Sequence, residues 1–299
     1  MTIKKGILVF YMVLFSTVLV AQTGSKNKRK FGDWFSTSLE IRQTFDGSKA
    51  EKKPARLIFN EDNNSKDDFI NIDIGVRVLE IHPIDGFLSM YPDIEWHKTN
   101  NKSAEKNKLS FGLKAEVVFD ILKGNVILLS DAILRENFLD DVSEFEFDIQ
   151  ATFFRGKENE PDKYKFRPGE RISYSKGIKD LKFRYQPFIG FEYREMPDLL
   201  IEDITQYLRL LYTTLSLEWW PWQSKLEFLF DATYRRSIKE IAGLKQDLSF
   251  IDASLVYYPF TDIKQSVIGV GLNYQLGYDP EAKFNNISII SLSLDIKIN

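Results

Sequence analysis

Two histidines and a large population of carboxylates are the residues through which this chain could do chemistry, and it has no cysteine. His97 closes the run Asp93-Ile94-Glu95-Trp96-His97. In an extended strand, alternation puts Asp93, Glu95 and His97 on one face. An imidazole beside carboxylates is the arrangement of a general base. Strand-face neighbours sit about 7 Å apart, so contact there depends on side-chain reach. Neither a GxSxG elbow nor a GxxxxGK[ST] phosphate loop accompanies His97. His82 falls in the short turn His82-Pro83-Ile84-Asp85-Gly86 as a polar interfacial residue. The run Asp62-Asn63-Asn64-Ser65-Lys66-Asp67 has oxygen ligands in calcium-loop density, but Lys66 takes a ligand position and the required Gly and distal Glu are missing. Without thiolates, and with its histidines in different settings, the chain offers no metal centre and implies no cofactor. No residue is nominated as catalytic.

What must position these charges is a series of strands. In the C-terminal stretch 286–299, Ile290, Leu292, Leu294, Ile296 and Ile298 alternate with Ser291, Ser293, Asp295 and Lys297. The same period of two runs through 69–81, 87–97, 109–121, 143–154, 181–194, 226–235 and 266–278, with less regular strands at 34–45, 126–135, 204–218 and 248–258. About twelve antiparallel strands result. One face of each is apolar. The other carries Glu40, Arg42, Asp73, Arg77, Asp93, Glu95, Lys114, Glu116, Glu146, Asp148, Lys182, Arg184, Glu192, Glu227, Asp231 and Asp295. Carboxylates at every second position cannot sit in a dry soluble core. They suit a water-containing lumen whose outer wall meets lipid. Gly269 and Gly271 lie mid-strand, where they leave room inside.

The 299 residues are 43% hydrophobic, 28% charged and 14% aromatic, which excludes a disordered chain, and no apolar run of helix-spanning length occurs beyond the N-terminus. Residues 1–21 have the form of a secretory signal: Lys4 and Lys5, an apolar core from Ile7 to Val20, and a small residue, Ala21, before the cut. An uncleaved anchor helix is the alternative. Without Lys4 and Lys5 the net charge of −3 becomes −5 (−3 − 2), which argues against nucleic acid as a partner. Residues 22–33 are a polar, partly basic leader, and 34–299 the barrel. Long polar loops alternate with short turns, and Trp219, Trp220, Trp222, Tyr257 and Tyr258 gather at two turns as an aromatic girdle. Strand parity places the long Lys-, Glu- and Pro-rich segment 156–180 at the turn end, as an insert on the periplasmic side. Counting 171–174 as a further spanning strand would make the number odd.

These features together resemble a Gram-negative outer-membrane β-barrel over about residues 34–299, by architecture and not by a single motif. The resemblance implies an all-β, transmembrane antiparallel barrel in the outer membrane, with outer-membrane lipid and the barrel assembly machinery as partners and another envelope protein as a further candidate. Such barrels commonly end in an aromatic residue, where this chain has Asn299. A secreted β-sandwich or lipocalin-like barrel would reverse the two faces, charges outside. The leading expectation for function is a narrow, charge-lined, porin-like pore for transport, mildly cation-preferring because acids exceed bases. A structural, assembly or binding barrel of the cell envelope comes second, and a lipid-modifying enzyme using His97 third.

Overall fold

A computed structural model describes residues 35–42, 55–61, 68–84, 88–99, 106–121, 124–139, 142–154, 172–174, 181–196, 206–222, 225–239, 244–259, 266–280 and 284–298. The expected signal (1–21) and leader (22–33), and most of 156–180, lie outside the described residues. The strands are β1 (Phe35–Arg42), β2 (Ala55–Glu61), β3 (Asp68–Ile84), β4 (Leu88–Thr99), β5 (Lys106–Ile121), β6 (Gly124–Asn137), β7 (Val142–Phe154), β8 (Ile172–Tyr174), β9 (Leu181–Met196), β10 (Gln206–Trp222), β11 (Leu226–Ser237), β12 (Asp247–Tyr257), β13 (Ser266–Asp279) and β14 (Asn285–Ile298).

From β14 the ladder runs antiparallel through β13, β12, β11, β10, β9, β7, β6, β5 and β4 to β3. The gap between β3 and β14 is filled by β1 and β2 together. β1 lies opposite Gly75–Ile81 of β3, and β2 opposite Asp68–Asp73. Both also pair with β14, through Ile41–Ile298 and through 55–59 against 292–296. One stave is therefore made of two successive pieces. The eleven long strands (β3–β7 and β9–β14) plus this composite stave give a closed antiparallel barrel of twelve. Closure removes the long free edges of an open sheet, so the staves satisfy most of their backbone groups from one another.

The structure departs from the sequence-based expectation at three places in the wall. Residues 55–61 read as part of a long charged loop, yet Leu57 and Phe59 pair with Ile72 and Ile70 to complete the first stave. Residues 172–174 are neither a spanning strand nor wholly an insert. They form a three-residue ladder on β9 at Leu181–Phe183, just past the reach of β7, which pairs with β9 from Phe188 to Glu195. The count stays even because β8 prolongs the stave of β7. Finally, Trp219–Trp222 belong to β10 and not to a turn. The register with β11 shifts between Trp219 and Trp222, and this bulge accommodates Pro221, which has no N–H to give.

The polarity of the wall is inverted relative to a soluble protein. Ile94, Phe111, Leu134, Ile189, Leu211, Val270, Leu272, Ile290 and Leu292 stand exposed on the outside, Ile189 and Ile290 each at 63%. Asp73, Asp93, Glu95, Lys108, Lys114, Arg135, Glu144, Arg184, Glu192, Arg194, Glu227 and Asp295 are buried inside. A lipocalin-like arrangement would show the reverse.

Candidate functional site: the charged interior

Inward residues on neighbouring staves meet because the ladder sets them side by side, and the strong curvature of a twelve-stave wall brings more distant ones within reach. Around β5, β6, β7 and β9, Lys114 Nζ sits 2.5 Å from Asp131 Oδ2, and Lys108 Nζ 3.2 Å from Glu144 Oε2. Glu146 accepts from both Arg135 and Arg194, the latter at 2.6 Å. Arg194 also donates through Nε to Glu192 at 3.0 Å, and Arg235 Nε reaches the other oxygen of Glu192 at 3.0 Å. Arg184 pairs with Glu218. Tyr212 Oη donates to Asp148 at 2.8 Å, and Ser216 Oγ donates to Asp231.

A second network joins β2, β12 and β14. Arg56 donates through Nε to Asp295 Oδ1 (3.3 Å) and through Nη2 to Ser254 Oγ (2.9 Å), with Asp252 3.7 Å from Nη1. In a third, His97 is held between two carboxylates, with Nδ1 2.9 Å from Asp73 and Nε2 3.2 Å from Glu95. The sequence suggested Asp93 and Glu95 as its partners, but Asp73 enters from β3, directly opposite in the register. Both ring nitrogens are engaged with carboxylate oxygens, so neither faces a nucleophile.

Of the interior positions expected from alternation, Asp73, Arg77, Asp93, Glu95, Lys114, Glu146, Arg184, Glu192, Glu227 and Asp295 are buried, and Glu116, Asp148 and Asp231 half-buried. Glu40, Arg42 and Lys182 lie on described strands, but their side chains are outside the described residues. Among the proposed girdle residues, Trp219, Trp222 and Tyr257 are exposed, and the Trp222 and Tyr257 rings stack with centroids 6.3 Å apart. Trp220 is half-buried and shares the parity of the inward Glu218. Tyr258 is a correction: it is 3% exposed and donates to Glu227 at 2.7 Å inside the barrel. One step along the chain from Tyr257 reverses the face.

Sequence reasoning missed Arg56, which lay in an expected loop, and the inward Asp131 and Arg135 on the irregular β6. The short β-prone run Leu57-Ile58-Phe59, flanked by Arg56 and Asn60, is the signal that could have found this strand and Arg56 with it. Also missed was an apolar layer inside the barrel: Leu208 and Leu210 of β10, Leu248 of β12 and Phe284 pack together, with Leu244 and Tyr278 against them.

The first network, with Asp252 of the second, borders a cavity of about 220 Å³. Its wall includes Tyr91, Lys114, Asp131, Glu146, Asp148, Phe188, Glu192, Tyr212, Asp231, Thr233, Arg235, Phe250, Asp252 and Pro280. Its carboxylates stand among aromatic and aliphatic side chains, and its volume suits a small solute.

A closed antiparallel barrel of twelve staves, charged within and apolar without, has the architecture of the transmembrane β-barrels. Two solved structures are distantly similar in fold. A NanC porin structure is 8% identical and covers 82% of this chain and 99% of its own, with a TM-score of 0.43. The outer-membrane expressed OmpT of Vibrio cholerae is 9% identical over 91% of this chain and 99% of its own, with a TM-score of 0.31. No family matches the sequence, and no curated protein is similar to it. A likeness this distant says nothing of ligand or activity.

Proposed function

We propose that the protein is a narrow pore of the outer membrane that passes small polar solutes and favours cations. The observation that carries this is the charge of the cavity wall, which holds six carboxylates (Asp131, Glu146, Asp148, Glu192, Asp231 and Asp252) and two cations (Lys114 and Arg235), while Arg135 and Arg194 pair with Glu146 and Glu192 and Arg56 approaches Asp252. A surplus of one sign in a confined space raises the local concentration of the opposite ion. Eight staves give a barrel filled by its own side chains and sixteen leave a channel, so twelve suit a restricted bore. The signal-like residues 1–21, cut near Ala21, accord with export. Outer-membrane lipid and the assembly machinery follow as partners, and 156–180 as a candidate contact for another envelope protein.

The test is reconstitution of the full mature chain in planar bilayers under a KCl gradient. The expected reversal potential has the sign of a cation-selective pore, and Asp231→Asn weakens it. Anion selectivity, or no conductance under any applied voltage or from any variant, sinks the proposal. An envelope binding or assembly barrel is the second candidate, favoured by the ion-paired struts of Arg56 and Arg194 that cross the interior.

A further inference from the structure

We infer that Phe284 is a stopper closing the loop end of the interior, and that Arg194 is the latch tying it to the cavity below. This rests on the pore proposal above. Phe284 immediately precedes β14, yet its ring packs on Leu208 and Leu210 of β10 and Leu248 of β12. Three staves, β11, β12 and β13, stand between β14 and β10 along the shorter way round the wall. The contact with β10 therefore crosses the interior and does not run along the wall. Leu208 and Leu210 point the same way as Tyr212, which lines the cavity. The apolar layer thus lies next to the cavity, one step towards the loop end. Pro280, from the same hairpin connection as Phe284, is part of the cavity wall.

The backbone is committed to this arrangement. Phe284 has φ = 58°, a left-handed conformation that a bulky side chain adopts only when its surroundings impose it. Its N–H donates to Asp279 O at 2.8 Å, which turns the chain, and its ring is 3% exposed. An aromatic ring placed this way in an otherwise charged interior removes water from the mouth, and apolar constrictions close pores by dewetting.

Arg194 connects the two levels. Its Nη1 donates to Pro280 O at 2.9 Å, and its guanidinium carbon lies 5.5 Å from the Phe284 ring centroid. Its Nε and Nη2 hold Glu192 and Glu146, both on the cavity wall. One cation thus spans the carboxylates a solute would meet and the connection that carries the stopper. A cation entering the cavity competes with Arg194 for Glu146 and Glu192, loosens its grip on Pro280 and lets Phe284 return to an ordinary backbone conformation. Opening follows occupancy.

Bilayer recordings on the full chain test this, with folding checked by the heat-modified gel shift. Phe284→Gly removes the ring and tolerates positive φ, and Phe284→Asn does the same with a short polar side chain. Both are expected to raise the time-averaged conductance several-fold while keeping the cation preference, and Arg194→Gln to raise it with the ring still present. If the glycine variant does not fold, the asparagine variant decides. Folded Phe284 variants that conduct like a conducting wild type overturn the stopper and leave the pore proposal standing. If wild type and every variant are silent, both fall. A conductance raised by Phe284→Gly but untouched by Arg194→Gln overturns the latch.

Discussion

Arg56 and Asp252 stand on staves separated by two others, β13 and β14, yet Nη1 of the arginine comes within 3.7 Å of the aspartate. The same guanidinium binds Asp295 on the adjacent stave and Ser254 next to Asp252 on β12. One side chain therefore ties the composite first stave to three strands' worth of wall. It does so from β2, a strand of seven residues.

Replacing Arg56 with Met should destabilise the barrel by about 3–5 kcal/mol, because removing one partner leaves buried carboxylates without their cation. The measurement is the temperature at which the compact gel band converts to the unfolded one. Adding Asp295→Asn should recover part of the loss. A double variant no better than the single one would show that charge pairing is not the source of the effect.

Gly190 and Tyr212 are direct partners across β9 and β10, and the tyrosine ring lies over the glycine. A Cβ at position 190 would meet Tyr212 Oη at 2.6 Å. Gly190→Ala should displace the ring, cost about 1–3 kcal/mol by overpacking, and break the bond to Asp148. Tyr212→Phe removes that bond but keeps the ring, with a loss of about 1 kcal/mol. Equal shifts in unfolding temperature for the two would argue against close ring packing.

The aromatic band can be read by fluorescence in single-tryptophan variants. Lipids brominated near the headgroup should quench Trp219 and Trp222, which are exposed on the outside, more than the half-buried Trp220. Equal quenching of all three would place Trp220 outside as well.

Because the chain has no cysteine, an introduced one reports on sidedness alone. Strand parity puts Lys239, past the end of β11, at the loop end, and Lys225, before its start, at the turn end. Lys239→Cys should react with an impermeant thiol reagent in intact cells. Lys225→Cys should react only after the outer membrane is opened. The opposite pattern would invert the barrel in the membrane.

The outer face was legible because it repeats. Every residue of Ile290, Leu292 and Leu294 faces the same solvent, and a period of two needs no knowledge of neighbours. The interior is less legible for a physical reason: ion pairs such as Lys114–Asp131 depend on the register between strands, which no single strand encodes. Leu208 and Leu210 were hidden because Tyr207 before them and Leu211 after them are also apolar, which blurs the alternation. β2 was hidden because its stave is interrupted: the first piece, β1, already stood for the whole strand, and the seven residues of β2 are too short to announce another. Tyr258 was drawn to the girdle by its neighbours, although parity alone sends it inside.

The two-piece stave also bears on the order in which the molecule comes together. Arg56 and Asp295 are 239 positions apart along the chain, whereas each hairpin in the wall joins near neighbours. The entropy of bringing distant segments together rises with their separation, so the hairpins form early and this junction last. Until then the chain is an open sheet with two bare edges. β14, bonded along its whole length to β13 but to β2 only from Leu292 to Ile296, is the strand whose free side waits longest and would exchange its amide hydrogens first.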